Sequence, residues 1–445
     1  MIYKVKAIDQ LFFRSSAPFE GSQLFPSQFP PFPTTYSGIF RPMAENPKRM
    51  RISYNGIILN HGKDKIDFCF PQPLDTVLLK ESPKNPEKDH SSSEDVDVDS
   101  KEEQFVLETM EVISTPHSNL KIPACLTLKK PERKKKSEAT IYLTKKELEK
   151  YLGDGKDVND NTKAVTGFPL EKYLSTERKV GIGTDFEMGR TVDGMLYQIE
   201  MVRPKDGLQL AVKTVETDGK DLVTQKATVK LGGEGKVVHI QPLQDDLNVE
   251  TPDIYLTGNE QKYFKLYLAT PAIFGNGWLP QWICDKTYEG CFKHRKKWIK
   301  VKLMAATVGR FIPVGGFGYE TSAETKIKSY HPREMRYAVP AGSVYYFKVL
   351  SSSLDGLVEK TEIDDLDERS EKGGLIKNLF HQRCISDYRE ILGFQDENGL
   401  YDYSEEKDCG KREWCNRFRY CDRGFGYALV GAVSEKQIKE LNNHV

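Results

Sequence analysis

Arg178-Lys-Val-Gly-Ile-Gly-Thr-Asp-Phe-Glu-Met-Gly-Arg190 combines glycines with cations. It continues as Thr191-Val-Asp-Gly-Met-Leu-Tyr-Gln-Ile-Glu200, which contains an apolar strand, and the rest of the chain is organised around this stretch. Glycine lets a backbone turn sharply and approach a ligand closely. A nucleotide pocket would need a helix directly after the glycines, but here a strand follows. The segment therefore predicts a hairpin that lies along a polyanion. An ordinary glycine-bearing hairpin is the alternative that the spacing leaves open.

The overall charge limits how such a polyanion could be held. The 445 residues are enough for two or three domains of roughly 100 to 200 residues each. The 65 basic and 65 acidic residues cancel. Binding to nucleic acid therefore cannot come from bulk charge, and local cationic patches must supply it.

Targeting signals and cysteine content indicate the compartment. The sequence has no apolar run long enough to span a membrane. Met1-Ile-Tyr-Lys-Val-Lys-Ala-Ile8 alternates like a strand and is unlike a signal peptide. A cytoplasmic protein is therefore expected. The eight cysteines are too sparse for a disulfide scaffold, which leaves reduced thiols or a metal site.

A proline-rich segment near the N-terminus predicts an anion-binding edge. In Phe29-Pro-Pro-Phe-Pro-Thr-Thr-Tyr-Ser-Gly38 the prolines fix the backbone, and the hydroxyls that follow can cap a helix. Helix N-termini attract phosphate through their free N–H groups and the helix dipole. Plain helix capping is the competing interpretation. The predicted edge consists of Arg14, Thr34, Thr35, Ser37 and Arg41.

Alternating strands and glycine–aromatic loops recur along the rest of the chain. Two segments show the period of half-buried strands, each with one apolar face. The other face is aromatic and basic in Tyr263-Phe-Lys-Leu-Tyr-Leu268 and cationic in Trp298-Ile-Lys-Val-Lys-Leu303. Glycine clusters stand at 231–236, 310–319 and 423–431. Because strands dominate and helices are few, the sequence predicts α+β domains with antiparallel sheets.

Polar segments interrupt this pattern. Residues 81–104 and 354–374 contain few apolar side chains, so loops are expected there. The basic run at 129–136 is expected to be a solvated tether. Residues 139–152 carry a helix-like mix of Leu, Lys and Glu, so a helix is expected there.

Seven segments, taken in order, resemble the RAMP superfamily of CRISPR-associated proteins, and within it the third-subunit family of the type III-B Cmr effector complex. Each segment alone is weak, but the ordered set is specific. The segments are Asp9-Gln-Leu-Phe-Phe-Arg14, Phe29 to Gly38, Phe70-Pro-Gln-Pro-Leu-Asp75, Val180-Gly-Ile-Gly183 with Gly194-Met-Leu-Tyr197, Leu231-Gly-Gly-Glu-Gly235, Leu268-Ala-Thr-Pro-Ala-Ile-Phe274 with Gly277-Trp278, and Val339-Pro-Ala-Gly-Ser-Val344.

The resemblance implies two ferredoxin-like, RRM-related domains with glycine-rich loops and long insertions. They would span 1–245, with a thumb region at 178–200, and 246–445; the insertions lie at about 81–165 and 350–420. It also implies an RNA-binding, non-catalytic subunit that acts in antiviral defence and uses no cofactor. Its partners would be the 5′ repeat-derived handle of the guide RNA, the large cyclase subunit, the adjacent backbone subunit and, indirectly, target RNA.

The candidate RNA-binding residues follow from cations, glycine loops and aromatics near them, since single-stranded RNA is held by stacking and by contacts along its phosphates. Core packing is the alternative for every aromatic residue. The candidates are Phe12, Phe13, Arg14, Ser15, Phe19, Thr34, Thr35, Ser37, Gly38, Arg41, Arg178, Lys179, Gly181, Gly183, Arg190, Gly232, Gly233, Lys236, Arg310, Gly315, Gly316 and Phe317.

Two other functions compete with this one. A guide-processing endoribonuclease would need a general base near the glycine loops, and His239 and His294 are placed best. A zinc-stabilised interaction module could use the soft ligands near the C-terminus, although their spacing is unlike that of a zinc knuckle. Those ligands are His381, Cys384, Cys409, Cys415 and Cys421.

Overall fold

The computed structural model describes residues 1–14, 24–44, 50–62, 65–78, 105–114, 122, 124–127, 139–153, 165–185, 187–205, 207–215, 226–245, 247–251, 263–294, 297–321, 328–352, 375–386, 394–395, 401–402 and 420–442. Within these residues the fold is mainly β-sheet with few helices. The predicted α+β class with antiparallel sheets is confirmed at this level.

The first part of the chain contributes fifteen described strands. They are β1 (Ile2–Ala7), β2 (Leu24–Pro26), β3 (Arg51–Asn60), β4 (Ile66–Pro71), β5 (Thr76–Leu78), β6 (Phe105–Thr109), β7 (Glu111–Ser114), β8 (Ala124–Thr127), β9 (Ile141–Thr144), β10 (Val165–Pro169), β11 (Leu174–Thr184), β12 (Thr191–Pro204), β13 (Leu208–Val215), β14 (Ala227–Lys230) and β15 (Val237–Leu243).

The second part adds twelve described strands and two of the four described α-helices. The strands are β16 (Tyr263–Leu268), β17 (Glu289–His294), β18 (Lys297–Thr307), β19 (Ile312–Val314), β20 (Phe317–Thr321), β21 (Lys328–Pro332), β22 (Arg336–Ala338), β23 (Val344–Ser352), β24 (Arg383–Cys384), β25 (Phe394–Gln395), β26 (Tyr401–Asp402) and β27 (Tyr427–Gly431). The helices are α1 (Pro33–Phe40), α2 (Lys145–Leu152), α3 (Leu375–Phe380) and α4 (Glu435–Asn442).

A ten-stranded sheet forms the first layer, in the order β14-β15-β1-β13-β3-β4-β9-β10-β6-β5. Within it β15, β1, β13 and β3 are adjacent antiparallel strands, and α1 lies on the connection from β1 to β3. The alternation predicted for β1 is confirmed, since Tyr3 and Val5 are buried whereas Lys6 is exposed. Tyr3 packs against Phe40 of α1, with ring centroids 5.1 Å apart.

A six-stranded sheet forms the second layer, in the order β17-β18-β23-β16-β27-β24. Its four central strands, β18, β23, β16 and β27, are again antiparallel neighbours. All six residues of β16 are buried. The predicted basic outer face is therefore wrong for this strand, because both of its faces are covered.

The two layers share one hydrophobic core. Tyr54 and Phe70 enter it from the ten-stranded sheet, and Tyr267, Tyr427 and Leu429 enter it from the six-stranded sheet. The rings of Tyr54 and Tyr427 meet edge to face, with centroids 5.0 Å apart. The predicted halves 1–245 and 246–445 are thus joined by side chains that pack between the sheets.

A buried polar cluster crosses this core. The carboxylate of Asp75 accepts hydrogen bonds from the hydroxyls of Tyr151 and Tyr346, at 2.7 Å and 2.5 Å. Lys265, which is 4 % exposed, donates to the carbonyl oxygen of Tyr151 at 2.9 Å. Burial lowers the pKa of Lys265 to about 8, although Asp75 acts in the opposite direction. Since these groups come from both parts of the chain, the cluster fixes how the two sheets meet.

The glycine- and cation-bearing segment at 178–200 forms part of a long hairpin. β11 pairs antiparallel with β12, and β2 adds to β12 in parallel. The turn at 185–190 is closed by a backbone hydrogen bond from Asp185 to Arg190 at 2.8 Å. The predicted hairpin is confirmed, but Arg178, Lys179 and Gly181 lie in strand β11 and not in a loop.

Part of the predicted first insertion belongs to the ten-stranded sheet. β6, β9 and β10 extend that sheet beyond β4, and α2 buries Leu148, Tyr151 and Leu152. The helix expected over 139–152 is therefore partly wrong, because β9 precedes α2. The loops predicted at 81–104 and 354–374, and the tether at 129–136, lie outside the described residues.

Candidate nucleic-acid interface

A groove of about 460 Å³ lies where α1 meets the second half of the chain. It brings together seven residues that the sequence analysis selected from two distant segments: Thr34, Thr35, Ser37, Gly38, Arg41, Gly315 and Gly316. The remaining lining residues are Pro42, Arg333, Glu334, Tyr420 and Arg423.

Helix α1 forms one wall of the groove. Pro33 occupies the first turn, where its missing N–H costs nothing. The expected capping by hydroxyls is wrong, because the N-cap is Phe32 and no side chain caps the helix. Tyr36 and Phe40 pack into the core, so the hydroxyls of Thr34 and Thr35 remain on the groove side. Ser37 Oγ is buried without a hydrogen-bond partner among the described residues.

The opposite wall contains a C-terminal loop that is held by both sheets. Its Gly424 carbonyl accepts hydrogen bonds from Asn55 at 3.2 Å and from Thr270 at 2.8 Å. The Asp422 carbonyl accepts from the N–H of Ile52 at 3.0 Å. These contacts hold Arg423, which is 4 % exposed, at the groove. The predicted glycine–aromatic loop followed by a strand is confirmed by β27.

The charge of the groove lining is predominantly positive. Arg41, Arg333 and Arg423 contribute cations, whereas Glu334 is the single acidic lining residue. The carboxylate of Glu334 is paired with Arg336 at 2.6 Å, which offsets its charge. Gly315 and Gly316 complete the lining and add no side chain that would narrow the groove. The groove can therefore hold phosphate groups without relying on net charge.

The candidates on the hairpin form a second, separate group. Arg178 is exposed and pairs with Glu200 at 3.1 Å, while Lys179 and Arg190 are also exposed. The expected role of Gly181 as a place of close ligand approach needs correction: the ring of Tyr197 on β12 covers it and would overlap any added side chain. Gly183 lies nearby in β11, next to the irregular pairing between Ile182 and Thr184.

The third group is the glycine loop at 231–236. Gly232 has a φ of +82°, and a Cβ there would overlap the carbonyl oxygen of Phe12. Gly233 donates its N–H to the same carbonyl at 2.8 Å. Phe12 and Phe13 are buried. Their expected role in base stacking is therefore corrected, since both rings pack in the core beneath the loop.

The remaining candidates are dispersed. Lys236 approaches Asp9 at 3.6 Å and is mostly buried, so its expected phosphate contact competes with an ion pair. Arg14 and Arg310 are exposed outside the groove lining. Phe317 begins β20, and only its backbone is described. Ser15 and Phe19 lie outside the described residues.

The ordered motifs agree with a comparison against protein families. The sequence model of the family described as CRISPR-associated protein (Cas_Cmr3) matches residues 3–374. The chain belongs to the Cmr3 family. It is accordingly a subunit of the Cmr type of CRISPR effector complex, as the resemblance implied. No curated protein matches the sequence.

Solved structures similar to this Cmr3-family chain come from type III complexes. A chain of the type III-B Cmr-beta complex bound to cognate target RNA and AMPPnP, state 1, has 14% identity and a TM-score of 0.38, covering 84% of this chain and 93% of that chain. A chain of a second Cmr-beta structure, with cognate target RNA, has 13% identity and a TM-score of 0.37, and the match covers 84% of this chain and 93% of that chain. A chain of the Csm3-Csm4 subcomplex in the type III-A CRISPR-Cas interference complex has 13% identity and a TM-score of 0.27, and the match covers 77% of this chain and 92% of that chain.

The groove of the Cmr3-family chain does not include the histidines of the nuclease hypothesis. His239 lies in β15 and is hydrogen-bonded to the Thr228 hydroxyl at 2.9 Å. The side chain of His294 lies outside the described part of the chain. None of the described helices is long and apolar enough to cross a membrane.

His381 is not available as a zinc ligand, because its ring nitrogens contact the backbone. His381 Nε2 lies 2.9 Å from the carbonyl oxygen of Val249, and Nδ1 accepts from the N–H of Val430 at 3.1 Å. Both ring nitrogens are therefore engaged by the backbone, and burial lowers the pKa of His381 to about 4. The described residues contain no group of potential metal ligands. Cys409 and Cys415 lie outside them.

Proposed function

We propose that this Cmr3-family chain is a cytoplasmic, non-catalytic RNA-binding subunit that holds the 5′ repeat-derived handle of the guide RNA in the groove beside α1. The observation that carries this proposal is the convergence of three arginines on one groove shared by both halves of the chain. Single-stranded RNA is held by cations along its phosphates, and the groove lining supplies three of them.

The polar groups of the groove support an anionic ligand independently of charge. Ser37 Oγ is buried and has no partner within the described part of the chain. A buried hydroxyl without a partner is unfavourable, so a ligand oxygen there would satisfy it. Thr34 and Thr35 add hydroxyls in the first turn of α1, where the helix dipole favours negative charge.

The fold is compatible with the two ferredoxin-like domains that we propose for this family member. Each sheet contains four adjacent strands, β15-β1-β13-β3 in one and β27-β16-β23-β18 in the other, that have the spatial order fourth, first, third, second of a βαββαβ unit. Helix α1 lies between the first two strands of one unit, and α3 lies between the last two of the other. Family membership supports the further proposal that the chain docks the large cyclase subunit and a backbone subunit, and so reaches target RNA indirectly.

The groove assignment is tested by measuring how tightly the full chain binds a fluorescent handle RNA at several salt concentrations. Arg41→Ala with Arg333→Ala should weaken binding and reduce the salt slope by about 1.4, since each lost phosphate contact on a single strand accounts for about 0.7. Lys146→Ala with Lys439→Ala is the matched control, because it removes two exposed cations outside the groove. Equal affinities and slopes for the two double variants would contradict the proposal.

A further inference from the structure

Two aromatic rings lie together on the surface of a small ribbon next to the groove. The ribbon consists of β19 and β22, in which Pro313 pairs with Tyr337. Phe311 is 65% exposed and Tyr337 is 57% exposed. Their ring centroids are 5.0 Å apart, in an edge-to-face arrangement. The two rings therefore contact each other, and each still exposes apolar surface to solvent.

The exposure of this pair is built into the ribbon. On the inner face, Val314 and Ala338 are buried against Phe32 and Phe425. Side chains alternate between the two faces of a strand. Tyr337, next to Ala338, must then point outward, and the anchored inner face keeps it there. The aromatic pair is consequently held on a fixed support.

The ribbon leads directly into the groove. Gly315 and Gly316 follow β19, and Arg333 and Glu334 precede β22. Because a strand advances about 3.3 Å per residue, the aromatic pair lies about 10 to 13 Å along the chain from the groove lining. A linear ligand that leaves the groove on this side would reach the rings within a few monomers.

The charges near the pair indicate the kind of ligand. Arg310 precedes Phe311 and is exposed, and Arg336 precedes Tyr337. Arg336 is paired with Glu334 at 2.6 Å, so the positive charge near the pair comes from Arg310 and from the arginines that line the neighbouring groove. Aromatic rings next to cations suit unpaired nucleobases, whose phosphates are anionic and whose faces stack. An apolar protein partner would not need this positive surround.

We propose that Phe311 and Tyr337 form a stacking platform for an unpaired base of the RNA strand where it leaves the groove. This inference rests on the proposed function, since it concerns the same RNA. It replaces the buried Phe12 and Phe13 as the source of base stacking.

The test combines substitutions with abasic-site scanning in the full chain. Phe311→Ala with Tyr337→Ala should weaken handle binding by about 5-fold to about 150-fold, the effect of one lost stacked base. The salt slope should stay unchanged, because no phosphate contact is removed. In the unsubstituted chain, one abasic position in the RNA should cost similar affinity, and the double variant should be insensitive to that position. Tyr337→Phe should retain binding.

Met335→Ala is the matched control, because Met335 is an exposed apolar residue beside the same strand. If the aromatic variants bind like this control while Arg41→Ala with Arg333→Ala still weakens binding, the platform is refuted and the groove assignment stands. If neither double variant changes binding, the proposed function itself fails. The double variant can also be purified with the whole complex. If it then retains the RNA but loses another protein subunit, the platform is refuted and the rings are a protein contact.

Discussion

Replacing Asp75 by alanine would remove the centre of the buried polar cluster that joins the two sheets. Asp75 is fully buried. Its carboxylate is the acceptor for the hydroxyls of Tyr151 and Tyr346. Neither hydroxyl could turn to water, since Tyr346 is fully buried and Tyr151 nearly so. The substitution therefore leaves donors without acceptors inside the core.

The magnitude follows from these contacts. Each orphaned buried hydroxyl costs about 1 to 3 kcal/mol. The nearby ammonium of Lys265 also loses a favourable charge, because Asp75 opposes the lowering of its pKa. Breaking a buried charged pair costs about 3 to 5 kcal/mol in other proteins. A destabilisation of about 4 kcal/mol is expected, which lowers the unfolding midpoint by about 4 °C in a chain of 445 residues, since the unfolding entropy is about 2.1 cal/mol/K per residue.

The assay is thermal unfolding followed by circular dichroism, with Asp75→Asn as the matched control. Asparagine retains one carbonyl oxygen that can accept from the tyrosines, so its midpoint should lie between those of the alanine variant and the unsubstituted chain. An alanine variant that unfolds within about 1 °C of the unsubstituted chain would contradict this role of Asp75, since that shift corresponds to no more than the cost of one orphaned donor.

Two further predictions concern pH and backbone geometry. The pKa of Lys265 is lowered from 10.5 to about 8 in the folded state; the unfolded chain therefore binds more protons between these values, and this residue makes stability rise as pH increases from about 8 to about 10. Urea titrations across that range should show a smaller rise for Lys265→Met, and an equal rise would contradict the assignment. Gly232→Ala should lower the unfolding midpoint more than Gly235→Ala: both glycines have positive φ, but only Gly232 would place a Cβ against the Phe12 carbonyl. Equal midpoints in differential scanning fluorimetry would show that this close contact is unimportant.

Several residues of the groove lining could be selected from the sequence because they carry local signals. Prolines before Thr34 predicted the start of α1, and the hydroxyls and Arg41 follow within two turns. Gly315 and Gly316 were selected from a glycine–aromatic cluster far along the chain. Their meeting in one groove depends on how the sheets pack, which no local pattern specifies.

Other features depended on tertiary contacts that the sequence does not reveal. Phe12 and Phe13 precede an arginine, a pattern that suits stacking residues, but the glycine loop covers them. Arg333 stands outside any motif, and Arg423 was noted only as the start of a glycine–aromatic loop. Tyr337 belongs to a strand of three residues, which is too short for a reliable alternation pattern.

Site-specific crosslinking would test most directly whether the guide handle lies in the groove. Handle RNA with 4-thiouridine at successive positions would be assembled with the full chain, irradiated and digested, and the crosslinked peptides identified by mass spectrometry. If the handle lies in the groove, crosslinks should form to peptides that contain Thr34 to Arg41 or Gly315 and Gly316. Crosslinks confined to the hairpin at 174–204, with none in the groove peptides at any handle position, would contradict it.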